Sequence, residues 1–264
     1  MLGAIAGDVI GSVYEGRKQW MRERHPDFEP LFDPKAAFTD DTVLSVAVAD
    51  YLINSRDLVE TLKAYANTYP RAGYGKAFKR WAFGEDDSPY NSFGNGSAMR
   101  VSPVAYAFST LDEVLLHAKL TASATHNHPE GVKGAQAVAS AIFLARHGES
   151  KSEIERYISG KFQYRLDRTI EDIRPAYEFD SSCQGSIPQA ITAALESTDF
   201  EHAVRLAVSL GGDADTLASI AGAIAEALYG GVPPEIAEAA TAKLDDHLSS
   251  ILDQFSQKYR VLTS

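Results

Sequence analysis

Apolar residues recur at intervals of three and four along most of this chain, and this spacing limits the fold more than any other feature of the sequence. Alternation of apolar and polar residues, which is typical of strands, is almost absent. Two helix starts are marked by local signals. Ser152 precedes EIERYI, and Pro234 with Glu235 is expected to open the last helix. The sequence therefore predicts an all-α fold, a compact orthogonal helical bundle. The periodic segments are 43–53, 58–69, 111–124, 131–148, 187–197, 200–210, 216–230 and the tail from Pro234.

Two segments, residues 134–145 and 216–228, are apolar on nearly every side and rich in alanine and glycine. A helix that is apolar all round is buried, so both are expected at the centre of the molecule. A chain of 264 residues is long enough to bury about three quarters of its unfolded surface in one core. Because no repeat or low-complexity linker divides the chain, we expect residues 1–264 to form a single domain. The polar stretches 16–38 and 84–96 are expected to be long functional loops.

The composition excludes several classes of protein. Hydrophobic residues make up 45% of the chain and charged residues 23%, which excludes a disordered chain. The single cysteine, Cys183, excludes an internal disulfide framework and a cysteine-based zinc site. A formal net charge of −11 argues against a nucleic-acid partner, which needs a local excess of lysine and arginine. No stretch approaches about 20 uninterrupted apolar residues, and the apolar start lacks a basic region. We therefore expect no membrane span and no signal peptide, and by default a cytoplasmic monomer.

Two acidic clusters, TDDT (39–42) and GGDADT (211–216), lie far apart in the chain, each immediately before an apolar helix. Asp and Thr before a helix are common N-caps and first-turn residues, so either cluster alone has a purely structural explanation. Neither cluster has a lysine or arginine beside it, so burial of both would require another positive charge. Carboxylates and hydroxyls are hard oxygen ligands that suit Mg²⁺ or Mn²⁺. The double glycine of the second cluster lets the backbone bend so that its two aspartates converge.

Three further segments carry residues suited to a ligand site. GNGSAMR (94–100) is a glycine-spaced loop that can present backbone N–H groups to a phosphate, although such glycines more often serve turns. THNHPEG (125–131) contains two histidines, which more often hydrogen-bond a ligand or the backbone than ligate a metal. The opening segment is rich in small residues that allow close helix packing, and Glu15 ends it at the border of a loop. For Glu15 alone, a solvated acid at a helix end is the ordinary interpretation.

Together, these segments resemble the ADP-ribosylglycohydrolase family, which includes bacterial hydrolases that remove ADP-ribose from modified proteins. Each piece is unspecific, but the ordered set is highly specific and covers nearly the whole chain. The resemblance implies an all-α fold with a cleft that holds two divalent cations, Mg²⁺ or Mn²⁺. It also implies a hydrolase that cleaves the glycosidic bond between ADP-ribose and an acceptor. The matching pieces are GDVIGSVYE (7–15), FTDDT (38–42), FGNGSAMR (93–100), THNHPEG (125–131), FDSSCQGSIPQA (179–190) and GGDADT with AGAIAEALYG (211–230).

The resemblance also implies roles for individual residues. Glu15 and Asp41 are the expected catalytic carboxylates, either of which would accept the proton of the water that attacks the anomeric carbon. Asp8 is expected to be structural and to support Glu15 by packing. The expected metal ligands are Thr39, Asp40, Asp41, Asp213, Asp215 and Thr216, and the expected contacts to the ribose and diphosphate are Gly94, Asn95, Gly96, Ser97, Met99 and His126.

Two other functions are compatible with these residues. Asp-rich clusters with histidines would also suit a two-metal phosphohydrolase, which would release phosphate from a nucleotide or phosphomonoester. The second is a non-catalytic ADP-ribose-binding protein, although such a protein would not need the full ligand set. The acceptor is open as well, because some arginine-specific relatives carry an acid shortly before the GNG motif, where this chain has Asn91-Ser92-Phe93. The expected partner is an ADP-ribosylated protein or an ADP-ribose-containing small molecule.

Overall fold

Helices form the framework of the molecule, as the apolar periodicity predicts. The computed structural model describes residues 1–259, and within that range there are sixteen α-helices, one turn of 3-10 helix and one isolated β-bridge, between Gly94 and Ser182. No helix in the described range is long and apolar enough to cross a membrane. The helices are α1 (Leu2–Gly11), α2 (Trp20–Glu23), α3 (Asp40–Asn54), α4 (Leu58–Thr68), α5 (Lys76–Ala82), α6 (Gly96–Met99), α7 (Val104–Ala107), α8 (Leu111–Ser123), α9 (Pro129–Arg146), α10 (Lys151–Phe162), α11 (Ile170–Ile173), α12 (Cys183–Glu196), α13 (Phe200–Val208), α14 (Ala214–Leu228), α15 (Pro234–Thr241) and α16 (Asp246–Tyr259).

The centre of the molecule is the pair of helices α1 and α14, which pack against each other along small residues. A β-carbon on Gly7 would overlap the backbone carbonyl of Ala218, and one on Gly11 would lie 2.5 Å from the Cα atom of Asp215. Only glycine allows two helix backbones to approach so closely. Helices α9 and α14 are buried along most of their length, as their all-round apolar pattern predicts.

One hydrophobic core extends from Met1 to Phe255 and includes residues of nearly every long helix. Helix α14 contacts α1, α9, α12 and α13, while α3 packs against both α1 and α14. Helices α3 and α14 also contact each other, and their beginnings lie side by side. These are the two places where the sequence carries its acidic clusters.

Helix α10 begins two residues earlier than the sequence predicts, because Ser150 and not Ser152 is its N-cap. The Ser150 hydroxyl accepts a hydrogen bond from the Glu153 amide, and the Glu153 carboxylate accepts one from the Ser150 amide. Both serines have glutamate three residues later, so the local pattern fits either start. The start at Lys151 is also stabilised by tertiary contact, since Lys151 Nζ donates to the Tyr229 hydroxyl over 2.8 Å.

The prediction that Pro234 opens the last helix was wrong. Helix α15 begins there but ends at Thr241, and a separate helix, α16, follows. Asp245 Oδ1 accepts a hydrogen bond from the Leu248 amide over 2.9 Å, which stabilises the new helix start. The end of the predicted tail helix, residues 260–264, lies outside the described residues.

Candidate active site

The two acidic clusters meet at the N-termini of α3 and α14. Thr216 Oγ1 donates a hydrogen bond to Asp41 Oδ2 over 3.1 Å, which joins the clusters directly. Around this contact are two groups of three carboxylates, and in each group the oxygens lie within 4.8 Å of one another. The first group is Asp8, Asp41 and Asp215, and the second is Glu15, Asp213 and Asp215. Asp215 therefore lies between two neighbouring sets of acids.

Asp8 holds the first cluster in place. Its carboxylate accepts hydrogen bonds from the backbone amide and the hydroxyl of Thr39 and from the amide and the hydroxyl of Thr42, at 2.5–3.1 Å. Asp8 is completely buried, so these four donors replace the water that the carboxylate loses on folding. Its role is to fix the first turn of α3 by hydrogen bonding, whereas the sequence suggested packing against Glu15.

The second cluster is shaped by its glycines, as the sequence predicts. Gly211 and Gly212 both have positive φ angles, +70° and +68°, which place them in the left-handed region. The Gly212 carbonyl accepts a hydrogen bond from the Gly16 amide over 2.9 Å, and this contact brings the loop that carries Glu15 to the cluster. Glu15 thus reaches the site through a backbone contact between two loops.

The carboxylates of the site strongly disfavour their charged forms. Burial is the largest cause, and it raises the pKa of Asp40 to about 8 and the pKa values of Asp41 and Asp215 well above their usual range. Neighbouring acids add to each shift: chiefly Asp8 for Asp40 and Asp41, and Asp213 for Asp215. The pKa of Glu15 is also raised, first by burial and then by Asp213.

The donor set fits a hard divalent cation. Within residues 1–259, the ion pairs of the chain involve none of the acids of the two clusters. Asp41 Oδ1 is buried and has no hydrogen-bond partner there, although buried carboxylate oxygens are normally paired. A cation would supply both the missing partner and the missing positive charge, and oxygen-only ligands suit Mg²⁺ or Mn²⁺.

The glycine loop GNG is fastened to the second cluster and to α12. Asn95 Nδ2 donates to Asp213 Oδ2 over 2.7 Å and to the Ser186 hydroxyl over 3.2 Å. The Asn95 amide donates to the Ser181 carbonyl over 2.8 Å. Gly96 lines the cleft, and in the described part of the chain its amide is paired with no acceptor, so it is available to an anion.

His126 and the glycine loop face each other across a narrow gap. A β-carbon on Gly96 would lie 3.1 Å from His126 Nε2, and one on Gly94 would lie 3.7 Å from it. The Ser97 side chain points elsewhere, because its hydroxyl donates to the Gly131 carbonyl over 2.7 Å below the loop. His128 does not join the site either, since its Nδ1 accepts the Glu130 amide at the start of α9.

These residues surround a cleft of about 560 Å³, a size typical of small-molecule sites. Of the residues predicted from the sequence, Thr39 and Ser97 do not line it. Those that do are Glu15, Asp40, Asp41, Gly94, Asn95, Gly96, Met99, His126, Asp213, Asp215 and Thr216.

Sequence reasoning missed one wall of the cleft and part of its floor. The wall is the segment 73–78, for which the closely spaced Gly73 and Gly75 were a usable signal. Tyr90, Arg100 and Phe179 also line the cleft. Arg100 and Phe179 belong to the segments 94–100 and 179–190 that the sequence singled out, without a role of their own, whereas nothing in the local sequence marks Tyr90.

Comparisons with known proteins identify the family and the fold of the chain. Residues 1–262 match the family described as ADP-ribosylglycohydrolase. The chain is 29% identical to ADP-ribosylhydrolase ARH3 of Gallus gallus, over 89% of this chain and 86% of that protein. It is 27% identical to ADP-ribosylarginine hydrolase Tri1 of Pseudomonas putida (strain GB-1), over 90% of this chain and 72% of that protein. A solved structure titled ADP-ribosylglycohydrolase-related protein complex has the same fold, with a TM-score of 0.72, 24% identity, and coverage of 99% of this chain and 97% of that one.

Proposed function

The chain belongs to the ADP-ribosylglycohydrolase family, and we propose that it hydrolyses the glycosidic bond between ADP-ribose and an acceptor at a pair of divalent cations. One observation carries the proposal: acids from α3, α14 and the loop after α1 converge in the lining of one cleft, largely buried and with no cationic partner within residues 1–259. Release of ADP-ribose is the activity that the family relationship supports. The number and kind of cations, and the roles below, are part of the proposal.

Six residues would hold the cations. Their oxygens are carboxylates and hydroxyls, and the convergence of the two triads on Asp215 makes it the natural ligand shared by both ions. When bound, the cations would supply Lewis acidity toward the ribose hydroxyls and the attacking water. The proposed ligands are Asp40, Asp41, Asp213, Asp215 and Thr216, which line the cleft, together with Thr39, whose hydroxyl donates to Asp8.

Glu15 is best placed to accept the proton of the attacking water. Its carboxylate lies beside Asp213 and Asp215 but is more exposed than either, and its raised pKa brings its basicity closer to neutral pH. Asp41 is the second catalytic carboxylate, with Oδ1 free of any hydrogen bond in the described structure. The surrounding negative charge stabilises the oxocarbenium-like transition state as the acceptor leaves.

The rest of the cleft would bind ADP-ribose away from the reacting bond. The Gly96 amide, which has no acceptor among the described residues, suits the diphosphate, and His126 faces the same gap. Phe179 lines the cleft and Phe93 lies between Ser92 and Gly94, which line it; their rings are 53% and 52% exposed and so are accessible for stacking on the adenine base. Binding of the nucleotide would orient the anomeric carbon over the acids.

We further propose that the enzyme acts as a single-domain monomer in the cytoplasm on an ADP-ribosylated protein or small molecule. The continuous core supports a single domain. The absence of a spanning helix in the described range agrees with a protein that does not cross a membrane. The acceptor would be decided near Ser92, which lines the cleft within Asn91-Ser92-Phe93, where some arginine-specific relatives carry an acid.

The test is release of free ADP-ribose from arginine-, serine- and acetyl-linked substrates in Mg²⁺, in Mn²⁺ and in excess chelator. We expect release from at least one linkage in the presence of a divalent cation and none in chelator. Glu15→Gln is expected to lower kcat by about 10²–10⁴-fold, the usual contribution of a general base. The matched control is Glu235→Gln, an exposed first-turn acid of α15, for which we expect unchanged turnover.

Two results would contradict the proposal. Phosphate release from nucleotides without ADP-ribose release would indicate a phosphohydrolase. Tight binding of ADP-ribose without cleavage of any linkage would indicate a binding protein.

A further inference from the structure

Arg100 is a buried cation that the proposed mechanism does not use. It is only 1% exposed, and no carboxylate pairs with it among residues 1–259. Its Nη2 donates to the Thr121 carbonyl over 3.0 Å and to Thr125 Oγ1 over 2.8 Å, whereas Nε and Nη1 have no partner in the part of the chain that the structure describes. A buried guanidinium without a carboxylate is costly, so its position in the lining of the cleft calls for a function.

The contacts of Thr125 define the direction of its hydroxyl proton. Thr125 Oγ1 lies 2.8 Å from Arg100 Nη2 and 2.7 Å from His126 Nδ1. Arginine can only donate, so Oγ1 must accept from Arg100. In the described part of the chain, the one acceptor in reach of the Thr125 hydroxyl proton is then His126 Nδ1. If Nδ1 carried a proton instead, the buried Thr125 hydroxyl would have no acceptor for its own proton, which is unfavourable.

The other ring nitrogen of His126 faces the gap beside the glycine loop. A β-carbon on Gly96 would lie 3.1 Å from Nε2, and one on Gly94 would lie 3.7 Å from it, so the missing side chains leave room for a ligand atom there. Burial and the nearby charge of Arg100 also lower the pKa of His126 well below its usual value. The ring is therefore neutral, and one of its nitrogens carries the proton.

We propose that Arg100 and Thr125 are positioning residues that fix His126 as the Nε2–H tautomer, so that this nitrogen donates a hydrogen bond to an oxygen of the bound nucleotide sugar or diphosphate. The relay runs from Arg100 Nη2–H to Thr125 Oγ1 and from Thr125 Oγ1–H to His126 Nδ1. The identity of the ligand rests on the proposed function, whereas the tautomer rests on the two contacts of Thr125 Oγ1.

The tautomer is measured directly in the ligand-free protein. Two-bond ¹H–¹⁵N correlation spectra of ¹⁵N-labelled protein separate protonated from unprotonated ring nitrogens, and His126→Gln assigns the signal among the seven histidines. We expect a protonated Nε2 and an unprotonated Nδ1 for His126 throughout about pH 5–8. In Thr125→Val, which loses the hydroxyl but keeps the shape, we expect a mixture of tautomers. Thr125→Ser restores the hydroxyl and should restore the single form.

Measurements of KM test whether the tautomer of His126 affects substrate binding. Thr125→Val is expected to raise KM for the ADP-ribosylated substrate by about 10-fold or more, because an unprotonated Nε2 would face a ligand oxygen. Thr125→Ser should return KM to near the wild-type value. In the His126→Gln background, Thr125→Val should change KM by less than about twofold, since the relay then has no ring to orient. Unfolding temperatures of all variants are measured alongside, so that a folding defect is recognised.

Arg100 is tested by two substitutions with the same spectra. Arg100→Lys keeps a cationic donor and is expected to keep the Nε2–H form, whereas Arg100→Leu is expected to lose it. If Arg100→Leu fails to fold, Thr125→Val still decides the proposal.

A protonated Nδ1 in the wild-type protein would overturn the relay even if the enzyme is fully active. An equal effect of Thr125→Val with and without His126 would overturn it as well. Absence of hydrolysis together with the expected Nε2–H signal would instead refute the proposed function and leave the tautomer assignment supported.

Discussion

Asp215 is the residue at which a structural and a metal-binding role of the acidic clusters are most easily separated. If Asp215 is only a first-turn acid of α14, Asp215→Asn would lower the free energy of unfolding by roughly 0.3–1 kcal/mol and leave turnover intact. If Asp215 is a ligand shared by two ions, the same change should lower kcat by more than about 100-fold at limiting Mg²⁺. The metal-free variant should be as stable as the wild type or more so, because burial and Asp213 disfavour the charge of Asp215. Activity assays and thermal unfolding in chelator measure both effects.

The control for this prediction is Asp112→Asn, an exposed first-turn acid of α8. It changes the same group at the same helix position away from the cleft, so only the small dipole effect is expected. Near-normal turnover of Asp215→Asn would show that Asp215 is structural and would remove the two-metal arrangement with it.

Cys183 lies behind the glycine loop, and its substitution tests whether the thiol takes part in catalysis. The thiol is buried, burial raises its pKa to about 12, and Sγ donates to the Gly94 carbonyl over 3.1 Å. A protonated thiol is not a nucleophile, and serine can donate the same hydrogen bond. Cys183→Ser is therefore expected to keep turnover within about tenfold of the wild type. A larger loss at unchanged unfolding temperature would assign the thiol a catalytic role.

Among the secondary-structure elements, the contact between α1 and α14 sets the position of the second acidic cluster. A β-carbon on Gly7 would overlap the Ala218 carbonyl and lie 2.7 Å from the Ser219 amide nitrogen, both of which are backbone atoms that cannot rotate away. Gly7→Ala should therefore separate the helices and destabilise the protein by about 1–3 kcal/mol or more. Metal affinity should fall as well, because α14 carries Asp215. Urea unfolding and metal titration measure the two effects.

Gly160→Ala is the matched control for this helix contact. Gly160 lies in α10, is exposed, and a methyl group at this position would have no neighbour within 4 Å. The same change is therefore expected to stabilise the protein by about 0.5–1 kcal/mol. If Gly7→Ala were equally harmless, close packing of α1 on α14 would not be required for the site.

For the whole molecule, the buried acids predict a link between stability, pH and metal. In the metal-free protein the folded state binds more protons than the unfolded state, because the pKa of Asp40 is raised from 3.8 to about 8 and those of Asp41 and Asp215 are raised as well. The free energy of unfolding should therefore fall as pH rises from about 4 to 8. Saturating Mg²⁺ should raise the unfolding temperature at pH 8 by on the order of 5 °C, and by less at pH 5, where protons compete.

Thermal unfolding over this pH range, with Mg²⁺ and with chelator, checks the prediction. A metal-free protein that becomes more stable toward pH 8, or a metal effect that is larger at pH 5, would contradict the buried acidic site. Full hydrolase activity in chelator, with metal absence verified by elemental analysis, would exclude a metal mechanism altogether.

The sequence by itself determined the fold class and predicted most of the acids and glycines that line the cleft, because both depend on local patterns. Helical periodicity repeats every three to four residues, and the acids stand in recognisable runs before helices. The left-handed bend at Gly211-Gly212 also follows from local chemistry, since glycine tolerates positive φ. Where two local signals were equivalent, as at Ser150 and Ser152, the sequence alone did not choose correctly.

The tertiary structure decided which of these residues act together. The hydrogen bond between Thr216 and Asp41, and the four bonds that Asp8 accepts from α3, join segments far apart in the chain, and no local pattern encodes them. The same holds for Arg100, whose burial beside Thr125 depends on how α6 and α8 pack. Contacts of this kind arise from the packing of the whole core, because only the folded chain defines which side chains lose water together and which partners replace it.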